Sequence, residues 1–312
     1  MHQLTEKIKK KALGLGFTKI GIAKADQLHE ESGHLTEWLS KGYHATMGWM
    51  ENNSEKRSNP KHILPEAKSV ISVALNYYSD NPHNENESAG KISRYAWGDD
   101  YHDILTEKLN LLLDYIIAEE PSAVGKVYVD TGPVMEKVWA ECAGIGWIGK
   151  HTNVITQDYG SWVFLGEIIL NLELQYDTPA TDHCGECTLC IEACPTQAIT
   201  EPYVLDSNLC ISYLTIEHRG EIAEELGEKF ENWIYGCDIC QDVCPWNHKF
   251  SQRTTVKEFH PREYNAAPDL KSVIQMSQQD FSERFRKSPI KRTKHAGLVR
   301  NANIILSSHR SA

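Results

Sequence analysis

Eight of the nine cysteines in this 312-residue chain fall between positions 184 and 244, and their spacing sharply limits what that stretch can become. Cys184-x2-Cys187-x2-Cys190-x3-Cys194-Pro195 has the four thiols and trailing proline of a bacterial ferredoxin run. Three thiolates at two-residue gaps wrap one [4Fe–4S] cube, and the fourth, after a longer gap and a turn-forming proline, points away to a second. The second run, Cys237-x2-Cys240-x3-Cys244-Pro245, lacks one ligand, and Cys210 is the only other cysteine nearby. Exchange of the last ligand between runs then predicts Cys184, Cys187, Cys190 and Cys244 on one cluster, with Cys194, Cys210, Cys237 and Cys240 on the other.

Two simpler uses of the cysteines compete with this reading. Disulfides suit an oxidising compartment, whereas an odd total, two-residue gaps and no export signal favour metal ligation in a reducing one. Structural zinc also uses C-x2-C pairs but has no use for the C-x3-C-P tail. Cys142, in ECAGIGW, is left over and reads as a small buried thiol on a helix. Two adjacent clusters move single electrons and do little organic chemistry alone, so the 180 or so preceding residues should hold the reactive centre they feed.

Those residues alternate helix and strand. FTKIGIAKA (17–25), SVISVALNYY (69–78), KVYVD (126–130) and SWVFLGEIILNLEL (161–174) read as strands. Asp26 reads as the N-cap of a following helix, and DILTEKLNLLLDYIIAE (103–119) as an amphipathic helix. The expected organisation is α+β, with an α/β domain over 1–178, a ferredoxin-like two-cluster module over 179–250 and a helical segment over 251–312. In that last segment Leu298, Asn301, Ile304 and Ile305 would face a partner the chain barely supplies. No G-x-G-x-x-G follows a strand and no Walker A run occurs, so a nucleotide site is unsupported. No stretch approaches 18 apolar residues and the N-terminus lacks a signal-peptide apolar core, so the expectation is a cytoplasmic monomer with no membrane contact. A net charge of −11 argues against binding polyanions through overall charge. Locally the balance reverses: from Arg284 to Arg310 there are eight Lys or Arg and no Asp or Glu. That segment, with Lys291, Arg292, Lys294 and Arg300, is a candidate nucleic-acid-binding face, or else a solvated helix surface.

Several further motifs resemble one family. RYAWGDDYH (94–102), VDTGPVMEK (129–137), AGIGWIGKHTNVI (143–155), GSWVFLGEI (160–168), CISYLTIEHRG (210–220) and YGCDICQDVCPWN (235–247), taken with the first cysteine run, resemble the epoxyqueuosine reductases. The resemblance implies a nitroreductase-like α/β domain cradling a base-off cobalamin and joined to the two-cluster module. It implies reduction of epoxyqueuosine to queuosine at the tRNA wobble position, with electrons from an unidentified low-potential donor. It also implies a C-terminal stack of HEAT-like helical repeats, of which 251–312 would supply the start.

The resemblance further implies Arg57, Tyr95, Asp130, His151, Val154 and Leu165 as cobalamin contacts, Ser212, Tyr213 and Thr215 as tRNA contacts, and Asp130 as proton donor. Taken singly, each cobalamin contact also reads structurally. Arg57 sits in the charged run ENNSEKR, Val154 and Leu165 read as strand core, and His151 reads as a satisfied core histidine. Asp130 reads equally as a turn residue before Thr131-Gly132-Pro133. An epoxide reduced to an alkene loses its oxygen as water, so a proton donor is required, and Asp130 would need its pKa raised by burial against the corrin to serve near neutrality. D-x-H-x-x-G, a common base-off cobalamin fingerprint, is broken after Asp100-Tyr101-His102, so His102 is not assigned to cobalt. The alternatives are a corrinoid reductive dehalogenase or other small-molecule reductase, and an electron-carrier iron–sulfur protein. Neither of them needs a basic tail.

Overall fold

The structure, a computed structural model, describes residues 2–311, with side chains to His309. Its main sheet has four strands in the order Lys19–Lys24, Ser69–Asn76, Val163–Leu170, Gly125–Tyr128, every neighbouring pair antiparallel. Antiparallel sheets often leave one face wet. Here both faces are covered, which is why all eight residues of Ser69–Asn76 are buried. Ile71, Val73 and Leu75 pack with Ile8 and Ala12 of the helix His2–Gly14 and with Leu105, Leu109, Leu112 and Ile116 of the helix Tyr101–Glu119. The alternate residues Val70 and Ala74 meet Trp139 and Ala140 of the helix Glu136–Cys142 on the other side.

The expected strands and the long helix are present, with ends shifted by a few residues. Asp26 is not a helix cap: the helix starts at His29 with Leu28 at the cap position, and Asp26 pairs with Lys24 at 3.0 Å.

A second core crosses the expected domain boundaries. Ile92, Ala96 and Trp97 pack with Ile211, Phe230, Trp233 and Tyr235, and with Leu270, Phe281, Leu298 and Ile305. The strand Lys91–Ile92 pairs in parallel with Trp233–Tyr235. The buried Asp238 carboxylate, between Cys237 and Cys240, accepts from the Arg94 N–H at 2.9 Å and from Arg94 Nη1 at 3.1 Å, and His83 Nε2 lies at 3.2 Å. The last helix, Lys294–Ser311, is part of this core. Leu298 and Ile305 are buried, and Asn301 Nδ2 donates to the carbonyls of Thr215 and Ile234, both at 2.9 Å. The partner that seemed missing is therefore supplied by the chain itself. Among the described residues no helix is long and apolar enough to cross a membrane.

Candidate active site

The edge strand Gly125–Tyr128 runs into a tight turn. Asp130 takes a left-handed backbone (φ 56°), and a Cβ on Gly132 would lie 2.1 Å from the Tyr128 ring, so the turn requires glycine there. The Asp130 N–H donates to Glu136 Oε1, while its carboxylate Oδ2 accepts from the Tyr101 hydroxyl at 2.9 Å and lies 3.1 Å from His102 Nε2. His102 Nδ1 lies 2.7 Å from Asp100 Oδ1, and Asp100 also caps the helix Tyr101–Glu119 by accepting the His102 N–H. Tyr101 stacks on Phe164 with ring centroids 4.2 Å apart, which fixes its hydroxyl.

The result is a line of three groups, Asp100, His102 and Asp130. Partial burial alone would lower the His102 imidazole, but its hydrogen bonds to Asp100 and Asp130 outweigh that and raise it to about 9. For Asp130 burial pushes upward, yet the hydrogen bond and charge of His102, with the Tyr101 hydroxyl, hold the carboxyl below its ordinary value. The expectation of a raised Asp130 is thus corrected. At neutral pH the proton of this pair resides on the imidazole, and the Asp130 side chain is 58% exposed to an open cavity.

That cavity encloses about 1450 Å³, including its mouth. Asp130, Tyr95, Tyr101 and Glu136 line it, as do the segments from His151 to Val154 and Val163 to Leu165. So do Cys194, Cys210, Cys237 and Cys240, the four cysteines expected on one cluster. The other expected set also gathers: the Cys190 thiol is pushed up by burial and then by Cys184, Cys244 and Cys187. Cys244 packs with Trp147, Cys184 and Trp246. Lys150 Nζ donates to the carbonyls of Gly185, at 2.6 Å, and Cys187, at 3.0 Å, joining the cavity wall to the first cysteine run.

The remaining expected residues divide. Tyr95, His151, Val154 and Leu165 line the cavity, and His151 Nε2 is buried without a hydrogen-bond partner among the described residues. Burial and then Lys137 lower the His151 imidazole to about 4, so it is neutral. Arg57 does not line the cavity; its guanidinium donates to the Trp49 carbonyl at 3.1 Å. Of the expected tRNA contacts on the helix Ile211–Ile216, only Ser212 reaches the cavity. Tyr213 is buried with its hydroxyl 2.6 Å from Thr46 Oγ1, and Thr215 is fully buried, donating to the Ile211 carbonyl. Arg300 is likewise internal in function, its guanidinium donating to the carbonyls of Leu214, His218 and Gly220. Those three are corrected to structural positions. Lys291, Arg292 and Lys294 are exposed, with Arg292 bonded to Glu217 at 2.7 Å and lying 5.2 Å from the Trp49 ring centroid. The Arg310 side chain lies outside the described residues.

Cysteines in two groups of four, one of them opening onto a cavity with a proton-bearing network in its wall, define a two-cluster iron–sulfur oxidoreductase. Residues 183–247 match a family model described as a 4Fe-4S double cluster binding domain, and residues 57–131 one described as Epoxyqueuosine reductase QueG, DUF1730. The epoxyqueuosine reductase of Synechocystis sp. is 49% identical over 286 residues, covering 91% of this chain and 98% of the relative. That of Cellulophaga algicola is 46% identical, covering 96% of each. A crystal structure of an epoxyqueuosine reductase with an epoxyqueuosine-modified tRNA stem loop superposes with a TM-score of 0.92 at 37% identity, covering 99% of this chain and 82% of the other. The Bacillus subtilis enzyme, solved with its aspartate-bearing catalytic loop swung out of the active site, gives 0.92 at 35% identity over 99% and 82%. The chain belongs to the epoxyqueuosine reductase family.

Sequence reasoning missed His102 as a partner of Asp130, and missed Glu136 and Glu167. The Asp100-Tyr101-His102 triplet was the available signal for the first. A carboxylate in the apolar run GEIIL was the signal for Glu167.

Proposed function

We propose that this chain reduces epoxyqueuosine to queuosine in tRNA, with a base-off cobalamin in the cavity and two [4Fe–4S] clusters supplying electrons. The observation that carries this reading is that one cavity is lined both by Asp130 and by the four cysteines of one expected cluster. Electrons and protons would meet there. The lining suits a flat macrocycle with a polar fringe: Val154, Val163, Phe164 and Leu165 offer apolar wall, and the unpartnered His151 Nε2 offers a polar contact from a neutral ring. A reduced corrinoid, when bound, supplies the low-potential metal that C–O bond cleavage needs.

The chain's own residues handle the protons. Reduction of an epoxide to an alkene consumes two electrons and two protons and releases water. One proton is held at His102 Nε2 against Asp130 Oδ2, with Asp100 orienting the imidazole from the far side. Asp130 carries it toward the leaving oxygen, so the carboxylate is the carrier and the imidazolium the store. The family likeness to an enzyme whose catalytic loop swings supports reading the Asp130 turn as a loop with two positions. The exposed Lys291, Arg292 and Lys294 are the residues suited to phosphate contacts.

The test is Asp130→Asn, which keeps size and much of the hydrogen bonding. Single-turnover conversion of an epoxyqueuosine-bearing stem loop should fall about 10²- to 10⁴-fold with cofactor occupancy unchanged on the same preparation. A near-normal rate would reduce Asp130 to a turn residue.

A further inference from the structure

Of the chain's eight tryptophans Trp49 alone is exposed, at 42%, and the proton and electron paths above give it no part. It sits in the short 3₁₀ helix Gly48–Met50, and the chain leading there is firmly tied. Trp38 Nε1 donates to the Leu205 carbonyl at 2.6 Å, and the Thr46 N–H and hydroxyl meet the Tyr213 hydroxyl at 3.1 and 2.6 Å. Ala45 and Met47 pack against the second core, and Arg57 Nη2 donates to the carbonyl of Trp49 itself. The backbone is thus fixed while the ring stands in solvent. An indole brings one of the largest apolar surfaces of any side chain, which is why it is enriched where partners bind.

The neighbours of the ring are cations. The Arg292 guanidinium lies 5.2 Å from its centroid, within cation–π range, and Arg292 Nε donates to Glu217 Oε1 at 2.7 Å, which holds the planar group beside the indole. Arg219 fastens the same turn by donating to the carbonyls of Arg292 at 2.7 Å and Thr293 at 3.2 Å. Lys291 and Lys294 flank Arg292, and both are exposed. Glu217 ends the helix Ile211–Ile216, whose opposite end, Ile211 and Ser212, lines the cavity. At 1.5 Å per residue, Ser212 and Glu217 stand about 8 Å apart along that helix. An aromatic ring set among cations is the composition of a single-stranded nucleic-acid site, where the cations follow phosphates and the ring takes a base.

We infer that Trp49, backed by Arg292, is a stacking platform for one unpaired base of the RNA loop, and that it fixes the register of the loop over the cavity. A base laid on the indole needs no hydrogen bond to it, so the contact tolerates any base. Tyr213 and Arg57 are then positioning residues, acting through the backbone that carries the ring.

The inference deepens the reading of the chain as a reductase acting on tRNA and rests on it, but binding alone tests it. Full-length, cluster-loaded protein is titrated with a fluorescent epoxyqueuosine-bearing stem loop and with versions made abasic at one loop nucleotide at a time. Trp49→Ala should weaken binding about 5- to 150-fold, the range of a lost base–aromatic stack, and leave the salt dependence unchanged because no phosphate contact is removed. Trp49→Phe should recover most of the loss. One abasic position should cost wild type a similar factor and cost Trp49→Ala nothing further, whereas other positions should add. Melting temperatures report that each variant is folded. Unchanged affinity in Trp49→Ala, or a loss that adds to that of every abasic position, overturns the platform. So does a flattened salt slope, which would show that the ring only holds Arg292 in place. Absence of stem-loop binding by wild type would remove both this inference and the functional reading; binding with the expected coupling but without conversion of epoxyqueuosine would overturn only the functional reading.

Discussion

Replacing His102 by Gln isolates the charge that the structure places between two carboxylates. The gap between an ordinary imidazole near 6.5 and about 9 is worth about 3 kcal/mol at 1.36 kcal/mol per tenfold change in proton affinity. The full amount is not realised, because the His102 and Asp130 side chains are 30% and 58% exposed and solvent screens the pair. Half of it, about 1–2 kcal/mol, is the reasoned expectation. With the folded-state value raised, this stabilisation is complete below about pH 6.5 and is lost as pH rises through about 9. Wild type should therefore melt a few degrees above His102→Gln at pH 6.5, and the two curves should converge above about pH 9.5. Anaerobic thermal melts at half-unit pH steps, with an NMR titration of the imidazole, make the comparison. A stability gap constant across pH, or an imidazole that titrates at or below 6.5, would refute the charged line and the proton store built on it.

Three further outcomes follow from the cysteine grouping and the tail. Cys194→Ala should damage the cluster expected on Cys210, Cys237 and Cys240 while the one expected on Cys184 remains visible by low-temperature electron paramagnetic resonance; the reverse loss would break the assignment. Lys291→Glu, Arg292→Glu and Lys294→Glu together should weaken stem-loop binding and flatten its salt dependence, each lost phosphate contact removing about one unit of slope. Arg300→Gln should instead lower the melting temperature through its lost carbonyl bonds and leave the salt slope alone; an unchanged slope in the triple variant would return that face to plain solvated surface.

What was legible in the sequence was local or rigidly spaced. Cysteines at gaps of two and three residues constrain one another, and Asp130 stands out because KVYV delivers it to a strand end. Its placing is the work of a positive-φ turn at the end of an edge strand in an antiparallel sheet. His102 stood out in the sequence only against a broken cobalamin fingerprint; the structure puts it in the first turn of a helix that Asp100 caps, with its second partner 28 residues away. Glu167 was hidden because it stands in the apolar run GEIIL, in the part of the strand that is buried on both faces. Leu298 and Ile305 looked unpartnered because their contacts come from residues as distant as Ile92 and Trp97, which no periodicity announces. Thr215 and Arg300 illustrate the converse: hydroxyl and guanidinium groups resemble substrate contacts in sequence until neighbouring carbonyls and amides are found to use them.

The parallel pairing of Lys91–Ile92 with Trp233–Tyr235 sets a timetable for biogenesis. A ribosome adding about 5–20 residues each second needs roughly 7 to 28 s to pass from one strand to the other. Throughout that interval Ile92, Ala96 and Trp97 have emerged with nothing to bury them, and Arg94 awaits the aspartate that will neutralise it. The iron-binding half cannot be a cassette that matures alone, because Asp238 beside its thiols is held by Ser93 and Arg94. Translation, chaperone cover of the early apolar segment and delivery of iron and sulfide are thereby coupled, and a nascent chain stalled before Trp233 would be an aggregation hazard that no supply of iron could rescue.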